Sequence, residues 1–167
     1  TPEGLVLYEN DNPDNVKIAF RGSKMNNLGD WISNAKIAVG QENSNYLNED
    51  RFTETYNQID KVKAKYNVSP SEFVGTSRGG TLAITAGDKY GVDTTTFNSF
   101  LGKNLIHSSE SAAKHAMWRT TDDVPSMALG FKSNTKNYDI NTVKPLKKFK
   151  TPRGVHSLDN FIDTVGA

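Results

Sequence analysis

Glu72-Phe73-Val74-Gly75-Thr76-Ser77-Arg78-Gly79-Gly80-Thr81-Leu82-Ala83 is the stretch whose reading decides the fold. A short strand-like run, Glu72 to Gly75, leads straight into Gly75-Thr76-Ser77-Arg78-Gly79, a G-x-S-x-G sequence followed at once by Gly80. A helix is predicted from Ser77 or Arg78 to Tyr90, with Gly91 placed to stop it. A strand that turns into a helix at a serine puts that hydroxyl on a strained, exposed turn. Small residues two before and two after the serine are needed, because the turn brings strand and helix backbones very close. The same letters suit a glycine-rich turn that only packs, or that binds phosphate. The five residues alone leave both readings open.

Working outward, Phe52, Tyr56, Ile59, Val62 and Tyr66 recur at spacings of three and four. That stripe predicts an amphipathic helix from about Glu49 to Tyr66, capped by Asn48 and ended by Asn67 with Pro70. Leu5 to Tyr8 and Val16 to Phe20 flank Asp11-Asn12-Pro13-Asp14-Asn15, a dense turn cluster, and read as a hairpin. Arg21 to Asn48 reads as loop with short irregular helix. Further on, Thr94 to Phe100 is strand-like, Ser109 to His115 reads as a short helix, and Ala116 to Arg119 as a strand. Tyr138 to Leu146 reads as extended, and Leu158, Phe161, Ile162 and Val165 mark a last amphipathic helix. Strands alternating with helices predict an α/β sandwich around a mostly parallel sheet. No repeat or linker interrupts the 167 residues, so residues 1–167 read as one domain.

Composition narrows the chemistry. Twenty basic and nineteen acidic residues leave a net charge of +1, which gives no reason to expect a nucleic-acid partner. No apolar run approaches the roughly 18 residues of a membrane-spanning helix. The chain has no cysteine, so disulfides, thiolate metal sites and cysteine nucleophiles are all excluded. Its three histidines, His107, His115 and His156, lack metal-ligand spacing, and neither a metal nor a cofactor is expected. Lys144, Lys147, Lys148, Lys150 and Arg153 form an acid-free basic run. It reads either as a solvated face or as a patch for peripheral contact with an anionic membrane surface.

A serine nucleophile needs a base, and the base needs an orienting acid. On a strand–serine–helix turn of this kind the chain order is serine, acid, histidine. The best acid candidates are Asp122 and Asp123; His107 and His115 precede them, so order selects His156.

The motifs resemble, in order, those of the class 3 lipases, an α/β-hydrolase family. Ala19-Phe20-Arg21-Gly22-Ser23 with Asp30-Trp31 resembles its A-F-R-G-[TS]…D-W segment, and Gly75 to Gly80 its G-H-S-L-G-G turn. Thr96-Phe97-Asn98, Arg119 to Pro125, and His156 to Phe161 resemble the strand, acid and histidine segments beyond it. The resemblance implies a compact α/β-hydrolase-like three-layer sandwich with Ser77 as nucleophile, Asp122 as acid and His156 as base. It implies an oxyanion hole made by the backbone N–H groups of Ser23 and Arg78. The expected activity is hydrolysis of lipid acyl esters, as a lipase or phospholipase working through an acyl-enzyme. The alternatives are an esterase or thioesterase for soluble substrates, and a catalytically silent binding or structural module. Asp123 stands where the family has Pro, and Arg78 where it has Leu; the guanidinium suits either a phosphate-bearing lipid or a nearby acid.

Overall fold

The hairpin forms as predicted: Gly4–Tyr8 (β1) and Val16–Phe20 (β2) pair antiparallel, with Val6 opposite Ile18. In its turn, Asp14 N–H donates to Asn12 Oδ1 at 3.0 Å and Asn15 N–H to the Asn12 carbonyl at 3.0 Å, an Asx turn. The computed structural model describes residues 4–8, 12, 14–22, 49–99, 111–123, 137–145 and 157–161. Beyond the hairpin come helix α1 (Glu49–Tyr66), strand β3 (Pro70–Thr76), helix α2 (Arg78–Tyr90) and strands β4 (Thr94–Phe97), β5 (His115–Thr120) and β6 (Tyr138–Val143). The six strands stand in chain order, β1-β2-β3-β4-β5-β6. Every pairing from β2 to β6 is parallel. The mostly parallel α/β sandwich read from the sequence is the fold.

Both helices end where their sequences say. Asn67 closes α1 in the left-handed region (φ 51°), and Val68 N–H reaches back to the Lys63 carbonyl at 3.2 Å. Gly91 (φ 66°) ends α2 and donates to the Gly87 carbonyl, as a left-handed C-cap does. Because the strands step one way across the sheet, right-handed crossovers put α1 and α2 on one face. Ile18, Phe20 and Phe73 meet Ile59 of α1 and Leu82, Ala83 and Ala86 of α2 in a single buried cluster there. The rings of Phe20 and Phe73 sit edge to face, 5.8 Å apart. Tyr90 ties the helices together, its single hydroxyl proton lying within reach of the Asp60 carboxylate at 3.0 Å and the Tyr56 carbonyl at 3.2 Å.

The far face of the sheet is also covered where residues 157–161 pack on it. Register aligns Gly75 with Thr96 and Thr76 with Phe97, and side chains alternate along a strand. Thr96 therefore faces α2 and Phe97 faces away from it. On that far face the Phe97 ring packs against Phe161, which is buried, with centroids 5.1 Å apart.

Two departures from the sequence reading have a visible cause. The strand expected over Thr94 to Phe100 stops at Phe97, because Asn98 takes φ 45° and leaves the extended region. The short helix expected over Ser109 to His115 does not form over its described part: residues 111–114 are irregular and His115 opens β5. Thr94 N–H donates to the Lys114 carbonyl and Lys114 N–H to Asp93 Oδ1. Those bonds to the neighbouring strand capture the segment before a helical turn can close.

At the edge where the parallel strands begin, His115 is buried, with Nδ1 2.9 Å from Thr94 Oγ1 and Nε2 3.0 Å from Asp88 Oδ1. Tyr138 stacks on the imidazole at 4.6 Å.

Candidate active site

Ser77 stands between β3 and α2 with φ 53° and ψ −125°. A residue with a Cβ rarely takes a positive φ, and this ψ lies outside the left-handed well as well. Serine usually precedes a helix as an N-cap whose hydroxyl bonds to the first turn; here the side chain makes no capping bond. The turn is held by its backbone instead. Ser77 N–H donates to the Phe97 carbonyl and Gly80 N–H to the Ser77 carbonyl, each at 3.0 Å.

The glycines show why the sequence is G-x-S-x-G-G. A Cβ on Gly75 would fall 2.3 Å from the Gly79 carbonyl oxygen, and one on Gly79 would fall 2.2 Å from that of Phe20. One on Gly80 would fall 1.9 Å from Ser99 Oγ. The helix start is thus pressed against the ends of β2 and β3 at van der Waals limits. Gly22 completes the enclosure: a Cβ there would stand 3.0 Å from the Thr76 carbonyl oxygen and 3.2 Å from Ser77 Cβ. The chain leaving β2 therefore passes directly beside the serine.

Arg78 is the first residue of α2. Its backbone N–H stands at the positive end of the helix dipole. Its side chain is partly buried. Asp122 and Asp123 follow β5 and so lie at the same sheet edge as Ser77. They differ sharply: Asp122 is exposed, whereas Asp123 is 0% exposed and donates its N–H to the Thr120 carbonyl at 3.2 Å. Ser23, His107 and His156 lie outside the described residues, as do Lys147, Lys148, Lys150 and Arg153; Lys144 is exposed just after β6. Within the described residues 157–161, Phe161 packs on Phe97 at the end of β4, and the Phe97 carbonyl accepts the Ser77 N–H.

His115 is a structural imidazole, in line with the order argument. Register places it level with Phe73, four residues short of Ser77, about 13 Å at 3.3 Å per residue. A residue given no role from the sequence also belongs to this region. Asn98 is fully buried at φ 45°, and its Oδ1 accepts from Thr120 N–H at 2.9 Å. Its signals in the sequence were its place in Thr96-Phe97-Asn98 and a polar residue directly after an apolar strand end. Among the described residues, no cluster of histidine, aspartate or glutamate is arranged to hold a metal, and no helix is long and apolar enough to cross a membrane.

Fold and turn together define a class: a mostly parallel α/β sandwich carrying a strained serine between a strand and a helix at its carboxyl edge. Residues 6–138 match the model of the Tle-like phospholipase domain, and the chain belongs to that phospholipase-like family. The match puts the chain among lipase- and phospholipase-like proteins without singling out the class 3 lipases. No curated protein matches the chain.

Proposed function

We propose that the protein is a serine hydrolase of lipid acyl esters, a phospholipase or lipase, with Ser77 as nucleophile and His156 as base. The observation that carries this reading is Ser77 itself: a strained residue, uncapped, at a helix start, in a chain of a phospholipase-like family. Attack of Oγ on the ester carbonyl passes its proton to His156, expels the alcohol and leaves an acyl-enzyme, which water then hydrolyses. The Arg78 N–H and that of Ser23, next to the closely packed Gly22, would receive the oxyanion.

For the acid, the motif alignment favours Asp122 and burial favours Asp123. A triad acid works buried, bonded to the imidazole N–H, where it fixes the tautomer and stabilises the imidazolium. An exposed carboxylate is screened by water, so Asp123 is the better assignment. The deciding experiment is fatty-acid release from phospholipid vesicles and neutral esters by wild type and Ser77→Ala, with fluorophosphonate labelling of both. Release and labelling by the wild type alone are expected. Equal turnover by a folded Ser77→Ala protein would defeat the reading, and inertness of both towards probe and substrates would favour a silent scaffold.

A further inference from the structure

We propose that Asn98 is a positioning residue that holds the acid turn in register with the nucleophile. The inference rests on the serine-hydrolase reading above and adds a residue to it. Its basis is the way β4 ends. The last paired residues of β4 and β5 are Phe97 and Trp118. Beyond them β4 stops, because Asn98 turns away at φ 45°, yet β5 runs on to Thr120. The Thr120 N–H has therefore lost the strand carbonyl that would have taken its hydrogen bond. Asn98 supplies the replacement from its side chain: Oδ1 accepts from Thr120 N–H at 2.9 Å and from Thr120 Oγ1 at 3.5 Å. Its own N–H donates to the Trp118 carbonyl at 2.7 Å.

Two adjacent residues thus hold both halves of the site. The Phe97 carbonyl takes the Ser77 N–H, and the next side chain takes Thr120. From Thr120 the constraint passes on, since its carbonyl accepts the Asp123 N–H at 3.2 Å and Thr121 N–H is fastened to the Val143 carbonyl at 2.9 Å. Displacing Thr120 displaces the start of the turn that bears Asp123. A fully buried amide side chain is costly unless bonded, and any small residue that tolerates positive φ would have served the backbone alone. The amide is explained by the Thr120 bond, not by the turn.

Asn98→Gly tests this, because glycine accepts φ 45° and removes the carboxamide together with its bonds to Thr120. The assay uses an ester that wild type hydrolyses and Ser77→Ala does not. In the folded variant kcat is expected to fall about ten- to a hundredfold with KM within about twofold, the penalty of a misplaced catalytic group. The acid limb of the kcat profile should also move to lower pH, because a displaced carboxylate no longer favours the imidazolium. Wild-type kcat with an unmoved limb would overturn the proposal. Amide exchange in the wild type gives an arm independent of variant folding. Thr120 N–H should be as protected as the interior of β5, and exchange at the unprotected rate would overturn the proposal too. An ester cleaved equally by wild type and Ser77→Ala would count against the hydrolase reading, and the exchange result for Asn98 would stand apart from it.

Discussion

Ser77 and Asp123 are each held in a state their residue types rarely occupy. The backbone at Ser77 costs on the order of 1–3 kcal/mol, and a carboxylate is almost never fully buried unless it is paired. Strain of that size persists only where the surroundings over-determine it, and the close-packed glycines on both sides do so here. The two aspartates permit a clean comparison. Asp123→Asn is expected to lower kcat by about 10⁴, the loss seen when a serine-protease triad acid becomes an amide. Asp122→Asn should stay within a few-fold of wild type, because that side chain is in solvent. Steady-state turnover of both variants decides the point, and the reverse pattern would return the acid to Asp122. From the sequence, motif order proposes this pair of residues for the acid and goes no further. Choosing between neighbours requires knowing which side chain faces inward, and that depends on the turn after β5.

At the scale of elements, the contact between the start of α2 and the ends of β2 and β3 sets the geometry of the turn. Alanine at Gly79 would gain up to about 1 kcal/mol in helix propensity. The clash with the Phe20 carbonyl acts against it, and overpacking of this kind costs typically about 1–3 kcal/mol. The steric term wins, so Gly79→Ala should unfold at lower urea than wild type and lose most ester turnover as the helix start is pushed off β2. A variant more stable than wild type would show that the helix start can shift freely. Helices α1 and α2 were legible in the sequence because apolar spacing and stop residues agree: the Phe52-to-Tyr66 stripe ends at Asn67, and α2 ends at Gly91. Ser111 to Lys114 was not legible. Its local sequence permits a helix, and the bonds that prevent one come from Asp93 and Thr94 on a neighbouring segment. Asn98 escaped for a similar reason, because its partner Thr120 lies 22 residues away.

Across the whole molecule, the two edges of the sheet divide the work. The carboxyl edge carries Ser77 and the turn of Asp122 and Asp123, while the opposite edge is closed by Asp88, Thr94, His115 and Tyr138. Burial, and secondarily the Asp88 carboxylate, push Tyr138 from its ordinary 10.0 up to about 12. The fold therefore favours the neutral phenol. That contribution is intact below pH 10.0 and is lost as pH rises from there through about 12. Urea melts at fixed pH should show wild type losing stability more steeply over that window than Tyr138→Phe, and equal slopes would remove Tyr138 from the account. The strand order has a consequence for how the chain assembles. Each strand from β2 onward hydrogen-bonds to the one made just before it, so no gap in the sheet waits for a later segment to fill it. Every closure between neighbouring strands except the 49-residue crossover from β2 to β3 spans 17 residues or fewer, which limits its entropic cost. As the chain leaves a ribosome, every strand after β1 meets a template already in place at the growing edge of the sheet.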